Sequence, residues 1–339
     1  VGLTLKDHRS FNVNTMQSLN QVDFCHAKTW QLDSIDADKV NHLVRNWWGE
    51  NENNFFPGPQ PVSIERKDIS LLKTNDYRVC EKTDGERFLF VCVKYMNQSL
   101  AVLINRKQEV FLLPIVGGND IFAGTLLDGE LVKTKSSRTY KYIVYDCVRA
   151  FGESVISNTH TERLQSGISV VAQIQNTKQA LFKICVKQFY PFARMSEYID
   201  IVVPTLTHDI DGYIFTPNNE PIRTGTHYSM FKWKQRLHNT VDFLIKDGGV
   251  YIMKKNKIQL LSGVVVKIPP VLEEEIKMGQ KKNVIFECEY VSEMTWIATR
   301  VRSDKTHPNG FFTYTKTLHN IREDIQLFEF TMGNNNNII

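Results

Sequence analysis

The stretch KTDGER, residues 82–87, separates two runs of apolar and β-branched residues, YRVCE (77–81) and RFLFVCV (87–93). Such runs predict strands, and Asp-Gly between them predicts a tight turn. Lys82 and Arg87 would then flank one turn and could face one ligand. A lysine acts as a nucleophile only in its neutral form, which a nearby cation such as Arg87 favours. The plain alternative is an exposed hairpin with solvated charges, and these residues alone leave it open.

The dipeptide Asp-Gly follows a strand-like run at four places in the chain. They begin at Asp84, Asp128, Asp211 and Asp247. Because Asp-Gly is the strongest short hairpin signal, a turn is the first explanation for each one taken alone. The residues around each pair decide whether more than a turn is present.

Short strand-like runs dominate two parts of the chain. Between Tyr77 and Tyr145 they alternate with turn residues, which predicts antiparallel sheet. After Lys234 they recur at regular spacing, which is typical of a small separate barrel. A length of 339 residues also favours two domains. The three predicted helices are Asp36–Trp48 (apolar face Val40, Leu43, Val44 and Trp47, with Gly49 as the stop), Glu162–Ile174 (Leu164, Ile168 and Val171) and a final helix carrying Leu318, Ile321, Ile325 and Phe328.

Composition excludes several classes of protein but does not select one. Hydrophobic residues at 42% supply enough apolar surface for a globular core, and a net charge of +4 is too small to indicate a nucleic-acid partner. The six cysteines are scattered without a CxxC pair, which favours a reduced intracellular protein over one with disulfides. No apolar run approaches the ~18 residues of a membrane span. The chain opens at Val1, and we expect it to be a domain of a larger protein.

A known family resembles this chain at six ordered motifs. KTDGER resembles the K-x-D-G-x-R signature of the covalent nucleotidyltransferases, the superfamily of mRNA capping guanylyltransferases and of ATP- or NAD-dependent ligases. The whole resemblance, with a segment upstream of the first motif, spans Phe56 to Asn309, about three quarters of the chain. The five that follow are LLDGELV with Glu130, YIVYDCV with Tyr145, DIDGYIFTP with Asp211, FKWKQRLHNTVDF with Lys232, Lys234 and Asp242, and TRVRSDKTHPN with Arg302, Asp304 and Lys305.

Three details make the resemblance closer to capping enzymes than to ligases. FPGPQPVSI (56–64) resembles the segment that capping enzymes place before the nucleophile, and LINRKQEVF resembles their ribose-contacting strand, with Arg106 at the matching position. The last motif, Arg302 to Lys305, has the capping form. Tyr145 stands where many relatives have Phe, a mild change because either ring offers a π face. The resemblance extends to the guanylyltransferases of large cytoplasmic DNA viruses, such as African swine fever virus.

The resemblance implies an α+β fold and a domain division. It implies a nucleotidyltransferase domain of antiparallel sheets with flanking helices over residues 1–236. A C-terminal OB-fold barrel would follow over 237–315. Residues 316–339 would form a helix, which could pack on the first domain, and a polar tail.

The resemblance also implies roles for individual residues. Lys82 would attack the α-phosphate of GTP, with Arg87, Lys232 and Lys234 as catalytic cations. Alternating lysines on a strand share one face, and on an ordinary edge strand they would be solvated. Lys187 would read the guanine, with Lys183 as the alternative, and His208 and His227 would be structural. The expected nucleotide-binding residues are Arg106, Glu130, Tyr145, Lys187, Asp242, Arg302, Asp304 and Lys305, and the expected metal ligands are Asp211 and Glu130.

The implied partners follow from the reaction of capping guanylyltransferases. GTP would be the substrate, Mg²⁺ or Mn²⁺ the cofactor, and a 5′-diphosphate RNA end the acceptor. Flanking triphosphatase and methyltransferase domains are expected in the full protein. No association with a membrane is expected. The location would be cytoplasmic, at the replication site if the protein is viral. Two rivals stay open: an ATP-dependent polynucleotide ligase, and a non-catalytic nucleic-acid-binding module that keeps the fold. The first would be labelled by ATP and the second by neither nucleotide.

Overall fold

The chain consists of two compact units. A computed structural model describes residues 19–49, 56–95, 98–136, 139–175, 180–278, 283–292, 294–303 and 305–332. The first unit holds the residues up to Val62 together with Leu72–Phe231, and the second holds Ser63–Leu71 and the residues from Lys232 onward. The expected polar tail, 333–339, lies outside the described residues. The domain limits expected after residues 236 and 315 stay a prediction.

Strands make up most of the regular structure, and helices are fewer. Up to Trp233 the strands are β1 (Leu19–Phe24), β2 (Ala27–Leu32), β3 (Pro59–Ser63), β4 (Tyr77–Thr83), β5 (Glu86–Tyr95), β6 (Gln98–Asn105), β7 (Val110–Leu112), β8 (Val116–Gly117), β9 (Thr125–Lys133), β10 (Tyr140–Ala150), β11 (Glu153–Ser154), β12 (Ile174–Gln175), β13 (Lys183–Val186), β14 (Tyr190–Pro191), β15 (Ile210–Pro217) and β16 (Gly225–Trp233). The strands after it are β17 (Thr240–Lys246), β18 (Gly249–Lys254), β19 (Lys257–Leu260), β20 (Val265–Lys267), β21 (Asn283–Ser292) and β22 (Thr295–Val301). The helices are α1 (Ser34–Trp48), α2 (Ile69–Thr74), α3 (His160–Gln173), α4 (Met195–Glu197), α5 (Pro270–Met278), α6 (Phe311–Glu323) and α7 (Phe328–Thr331).

The first unit contains a large sheet and a smaller one. The large sheet has the order β1-β2-β7-β6-β5-β9-β10-β11, with β13 parallel to β10. The smaller sheet has the order β14-β4-β15-β16-β3, and β8 pairs with β12 separately. Most of the pairings are antiparallel. The predicted α+β class with antiparallel sheets and flanking helices is therefore confirmed.

Strand β5 shows why the large sheet needs helices on both faces. Its side chains alternate between two hydrophobic clusters. Phe88 and Phe90 pack in a cluster that includes α3, and Leu89 and Val91 pack in one that includes α1. A strand buried on both faces reads as a continuous apolar run rather than an alternating one, which accounts for RFLFVCV.

Helix α1 confirms the first predicted helix, including its stop. Asp33 caps it by accepting a 2.9 Å hydrogen bond from the backbone of Asp36. Gly49 ends it with φ 78°, in the left-handed region that glycine adopts without strain. Val40 and Val44 are buried, as predicted.

Helix α3 confirms the second predicted helix, but the predicted buried face was wrong at Ile168, which is 46% exposed. The buried side chains are instead those of His160, Arg163 and Val170, with Gly167 against β10. Hydropathy counts His and Arg as surface residues. In α3 both are buried with hydrogen-bond partners. The helical spacing of the buried residues was therefore predicted correctly, but the face of the helix that is buried was not.

The last predicted helix is divided in two. Helix α6 ends at Glu323, because Asp324 takes a left-handed conformation with φ 45°. Ile321 and Ile325 are buried as predicted, but Phe328, at the start of α7, is 53% exposed. The predicted continuous apolar stripe is therefore wrong beyond the break.

The second unit has a sheet of its own, in the order β19-β18-β17-β21-β22-β20. Phe243, Trp296 and Tyr314 form the aromatic centre of its core, so α6 packs against this sheet. Ser63–Leu71 belongs to the unit because Asn320 donates a 2.6 Å hydrogen bond to the carbonyl of Ile64. Of the four Asp-Gly pairs, the one at Asp247 makes a two-residue hairpin turn, between β17 and β18.

Among the described residues, no helix combines the length and the apolar character that crossing a bilayer requires. All six cysteines lie in the described part of the chain, and each is a free thiol.

Candidate active site

A cavity of about 170 Å³ lies in the first unit, between residues of the large and the smaller sheet. It brings together six of the residues predicted from the sequence. They are Lys82, Arg87, Arg106, Glu130, Tyr145 and Lys187. The strands that carry them place a lysine amine, an aromatic ring and several charges around one space.

The turn at Asp84–Gly85 connects two sheets and is not a hairpin. Strand β4 belongs to the smaller sheet and β5 to the large one, so the chain changes sheets immediately after Lys82. A Cβ atom on Gly85 would lie 2.7 Å from the carbonyl oxygen of Leu131, and only glycine tolerates so close an approach. The exposed hairpin of the plain alternative is therefore not formed at this turn, and Lys82 and Arg87 line the same cavity.

The amine of Lys82 contacts a carboxylate. Its Nζ lies 2.8 Å from Oδ2 of Asp211, which stands on β15 beside β4. Both side chains are partly exposed, at 24% and 18%. The amine must lose this contact and its proton before it can attack an electrophile. The ion pair therefore holds the Lys82 amine beside Asp211 in this structure.

Arg87 forms a buried ion pair on the cavity wall. Its Nε and Nη2 donate to the two oxygens of Asp128 at 2.9 and 2.5 Å, and its Nη1 donates to the carbonyl of Pro59 at 2.8 Å. Burial alone would lower the pKa of Arg87, but Asp128 holds it above its ordinary value. Arg87 therefore ties β5 to β9 and to the first residue of β3. A Cβ atom on Gly58 would collide with this guanidinium, since it would lie 2.2 Å from Nη2.

Glu130 and Arg106 contribute opposite charges to the cavity. Burial raises the pKa of Glu130, and the cations of Lys187, Lys82, Arg87 and Arg106 act against that rise. Arg106 itself is exposed and directly follows β6. An exposed guanidinium and a desolvated carboxyl group suit the polar part of a nucleotide.

Tyr145 supplies the aromatic face of the cavity, and the guanidinium of Arg87 lies 6.0 Å from its ring centroid. Burial raises the pKa of Tyr145 far above its ordinary value. Hydrogen bonds to Asp146 and to the backbone of Tyr145 hold this part of β10 in place. Next to Tyr145, Asp146 accepts two hydrogen bonds from the buried Arg163, at 2.7 and 2.9 Å. His160 Nε2 lies 3.2 Å from the carbonyl oxygen of Tyr145.

Lys187 lies in the cavity wall, and its ammonium is already hydrogen-bonded. It donates to the carbonyl of Glu81 at 3.0 Å and to the hydroxyl of Thr83, and it lies 3.1 Å from a carboxylate oxygen of Glu81. A guanine carbonyl would have to replace one of these acceptors. The alternative, Lys183, is exposed on β13.

The remaining predicted residues belong to the second unit. Asp242, buried on β17, accepts from Arg302 and Lys305, each at 3.0 Å. Asp304 lies outside the described residues. Lys232 and Lys234 flank the buried Trp233, whose indole donates to the carbonyl of Ile325 at 2.9 Å. Lys232 lies in β16 and Lys234 directly follows its end, so a shared strand face for the two lysines stays a prediction.

Several residues of the cavity were not predicted from the sequence. They include Glu81, Asp146 and His160, and Asp128, the partner of Arg87 behind the cavity wall, was not predicted either. Burial lowers the pKa of His160 to about 4, so its ring is neutral at physiological pH. A charged residue inside an apolar strand run, such as Glu81 in YRVCE, is the signal that could have identified this group, because a buried charge needs a partner.

Comparison with known proteins identifies the family. Residues 28–236 match the family described as mRNA capping enzyme, catalytic domain, and residues 238–330 match mRNA capping enzyme, C-terminal domain. The chain belongs to the mRNA capping enzyme family. The second match covers the six-stranded sheet of the second unit, where an OB-type domain was expected.

Individual similar proteins come from a fungus, a vertebrate and a mycobacterium. The mRNA-capping enzyme subunit alpha of Schizosaccharomyces pombe is 30% identical over 316 residues, covering 80% of this chain and 77% of that protein. The mRNA-capping enzyme of Danio rerio is 27% identical, covering 82% of this chain and 49% of that protein, so this chain matches about half of it. A solved structure of a mycobacterial DNA ligase D complexed with ATP is similar at a TM-score of 0.40 and 14% identity, covering 68% of this chain and 90% of that one.

Two carboxylates are the candidate ligands for a divalent cation at this site. No cluster of three or more acidic, His or Cys side chains that could hold a metal occurs in the described ranges. Asp211 and Glu130 offer hard carboxylate oxygens, which Mg²⁺ and Mn²⁺ prefer. Mg²⁺ is commonly held by one or two carboxylates, water and substrate phosphates. The two carboxylates therefore match a cation that arrives with a nucleotide.

Proposed function

We propose that this capping-family chain is an mRNA guanylyltransferase. One observation carries the proposal. Lys82, in the motif of the covalent nucleotidyltransferases, lines a cavity together with Tyr145 and Glu130, and its amine contacts the carboxylate of Asp211. In the first step Lys82 Nζ attacks the α-phosphate of GTP. The α–β anhydride bond breaks, pyrophosphate leaves, and lysyl-GMP remains. In the second step a terminal phosphate oxygen of a 5′-diphosphate RNA attacks the same phosphorus, and the P–N bond breaks to release the lysine.

The residues of the first unit divide this work. Tyr145 stacks on the base, and Lys187 donates to the guanine carbonyl after exchanging one of its present acceptors. Arg106 and Glu130 contact the ribose, while Asp211, with Glu130, holds Mg²⁺ or Mn²⁺. When bound, such a cation stabilises negative charge that develops on the phosphates. The Arg87–Asp128 pair keeps the wall beside the base in place.

The cations of the second unit bind the phosphates in this proposal. Lys232 and Lys234 contact the α-phosphate region, and Arg302 and Lys305 bind the β- and γ-phosphates. Both Arg302 and Lys305 are held by Asp242, so phosphate oxygens would replace carboxylate oxygens of similar geometry. Asp242 and Asp304 complete this part of the nucleotide site.

The wider context also stays a proposal. The acceptor is the 5′-diphosphate end of an RNA, and triphosphatase and methyltransferase domains flank this chain in a larger capping enzyme. A cytoplasmic place of action and an origin in a large DNA virus are further predictions. The fungal and vertebrate relatives support membership of the capping enzyme family, but not these further predictions.

The choice of nucleotide separates capping from ligation. Incubated with a divalent cation and either α-labelled GTP or α-labelled ATP, the protein will carry label from GTP and not from ATP. Label from ATP would assign the chain to the polynucleotide ligases. No label from either would leave a binding module that has lost the chemistry.

A prediction about the metal follows from the position of Asp211. An Asp211→Asn variant will need about tenfold or more metal for half-maximal guanylylation, because an amide oxygen is a weaker ligand for a hard cation than a carboxylate. The measurement is a titration of adduct formation with Mg²⁺ and with Mn²⁺. Asp209→Asn is the matched control, since Asp209 is exposed and pairs with Lys135 at 2.9 Å. An unchanged titration for Asp211→Asn with normal rates would remove Asp211 from the metal site.

A further inference from the structure

Lys187 holds the two residues that flank the nucleophile. Its ammonium contacts three acceptors: the Glu81 carboxylate at 3.1 Å, the Glu81 carbonyl oxygen at 3.0 Å and the Thr83 hydroxyl. An ammonium has three N–H donors, so these acceptors saturate it. Glu81 and Thr83 stand immediately before and after Lys82. The ammonium therefore clamps the end of β4 on both sides of the reacting residue.

The Glu81 carboxylate is held in place by several neighbours besides Lys187. It is 2% exposed, accepts a short hydrogen bond from the hydroxyl of Tyr198, and lies 3.2 Å from Nε2 of His208. The backbone N–H of Glu81 also donates to the Tyr198 hydroxyl oxygen at 3.0 Å. Burial alone would raise the pKa of Glu81, but His208, Lys187 and Tyr198 lower it to about 2. The carboxylate is thus ionised wherever the protein is folded and active.

The geometry points to Glu81 as a positioning residue that acts through Lys187 to fix the backbone on both sides of Lys82. Glu81 and Thr83 are the chain neighbours of Lys82 on β4, so contacts from one ammonium to both fix the backbone immediately before and after the nucleophile. A buried ion pair contributes little net stability compared with a well-packed apolar pair. Its consequence is therefore expected in the geometry of attack, where small misplacements of a nucleophile are costly. This inference rests on the proposed guanylyltransferase reaction.

The role is compatible with Lys187 reading guanine. When a base carbonyl takes one N–H, the Glu81 carboxylate still holds the ammonium by charge. Without Glu81, Lys187 loses the carboxylate that pairs with it at 3.1 Å, so its hold on the end of β4 weakens while its N–H groups can still donate to a base carbonyl. Glu81 itself need not touch the nucleotide for this effect.

A double-mutant cycle tests the inference. We expect Glu81→Gln and Lys187→Met each to slow lysyl-GMP formation at saturating GTP at least tenfold. The double variant will be no slower than the slower single variant, because residues that act as one unit lose their effect together. For Glu81→Gln the KM for GTP will change less than threefold. Losses that multiply in the double variant, or a folded Glu81→Gln with the wild-type rate, would overturn the inference.

A milder variant keeps the test decisive if Glu81→Gln does not fold. Tyr198→Phe removes both hydrogen bonds between the Tyr198 hydroxyl and Glu81, and we expect it to slow adduct formation several-fold. Tyr142→Phe is the control, since its buried hydroxyl donates to the carbonyl of Phe88 at 2.9 Å and it should react at the wild-type rate. Equal rates for the two variants would contradict the positioning role. A wild-type protein that forms no adduct with GTP would instead refute the proposed function itself.

Discussion

A Lys82→Arg variant will form no covalent adduct with GTP. Arginine keeps the positive charge and can keep the contact with Asp211, but its guanidinium cannot be deprotonated in the accessible pH range and so cannot attack phosphorus. The loss is expected to be complete, because the proposed reaction has no second nucleophile. It is measured by denaturing gel electrophoresis of the protein after incubation with α-labelled GTP.

The control for this variant is Lys94→Arg, an exposed lysine on β5 outside the cavity. It should be labelled like the wild type. Thermal unfolding of Lys82→Arg should match the wild type within a few degrees, since the ion pair that it alters is partly exposed and contributes little to stability. Acid-labile GMP on a Lys82→Arg protein would show that another lysine is the nucleophile.

The second large effect is expected at the cations of the second unit, and it should fall on one half-reaction. If Arg302 and Lys305 bind the β- and γ-phosphates, they orient the group that leaves in the first step. Replacing either with Ala removes a charge-assisted hydrogen bond of roughly 1.5–3 kcal/mol. The rate of lysyl-GMP formation should therefore fall by about 10- to 100-fold. The transfer of GMP to RNA involves no β- or γ-phosphate of GTP, so it should change no more than a few-fold.

Single-turnover kinetics of the two steps separate this role from a structural one. The adduct that Arg302→Ala does form is isolated and mixed with diphosphate-ended RNA, and its decay is timed. Arg300→Ala is the matched control, because Arg300 stands on β22 in the same unit and pairs with Glu287 on the surface. Equal losses in both steps would refute the proposed phosphate contacts, and no loss in either would leave both residues only the structural role of pairing with Asp242.

The fold class was predictable because its signals are local. Strand runs, the stop at Gly49 and the capping of α1 depend on neighbouring residues, and the helix with its stop was found where it was predicted. The faces of α3 were less predictable. His160 and Arg163 are buried only because β10 supplies the carbonyl of Tyr145 and the carboxylate of Asp146, and no local pattern shows that.

The Asp-Gly pairs show the same limit. At Asp247 the pair makes the hairpin turn that its propensity predicts. Asp128 and Asp211 instead lie within strands β9 and β15, near irregularities in the ladders, and their carboxylates face Arg87 and Lys82. The sequence Asp-Gly indicates that the backbone can form a tight turn. Whether it forms one, or instead lies in a strand with its carboxylate paired, depends on residues far away in the sequence.

The members of the candidate site were largely predictable by resemblance, but their partners were not. Six predicted residues do line one cavity. The pairing of Arg87 with Asp128 and of Lys187 with Glu81 joins residues 41 and 106 positions apart, and a sequence alone does not report such contacts. Hence two predicted catalytic or binding cations are, in this structure, charges already matched by buried carboxylates.

The path of one labelled phosphate distinguishes the proposed two-step reaction from every alternative considered above. Wild-type protein is incubated with α-labelled GTP and a divalent cation, freed of nucleotide, and mapped by proteolysis to find the labelled lysine. It is then mixed with RNA that ends in a 5′-diphosphate. We expect label on Lys82, released pyrophosphate, and transfer of the label to RNA as a cap, with RNA that ends in a 5′-monophosphate left unlabelled. Label that stays on the protein, or that maps to a lysine other than Lys82, would contradict the proposed reaction.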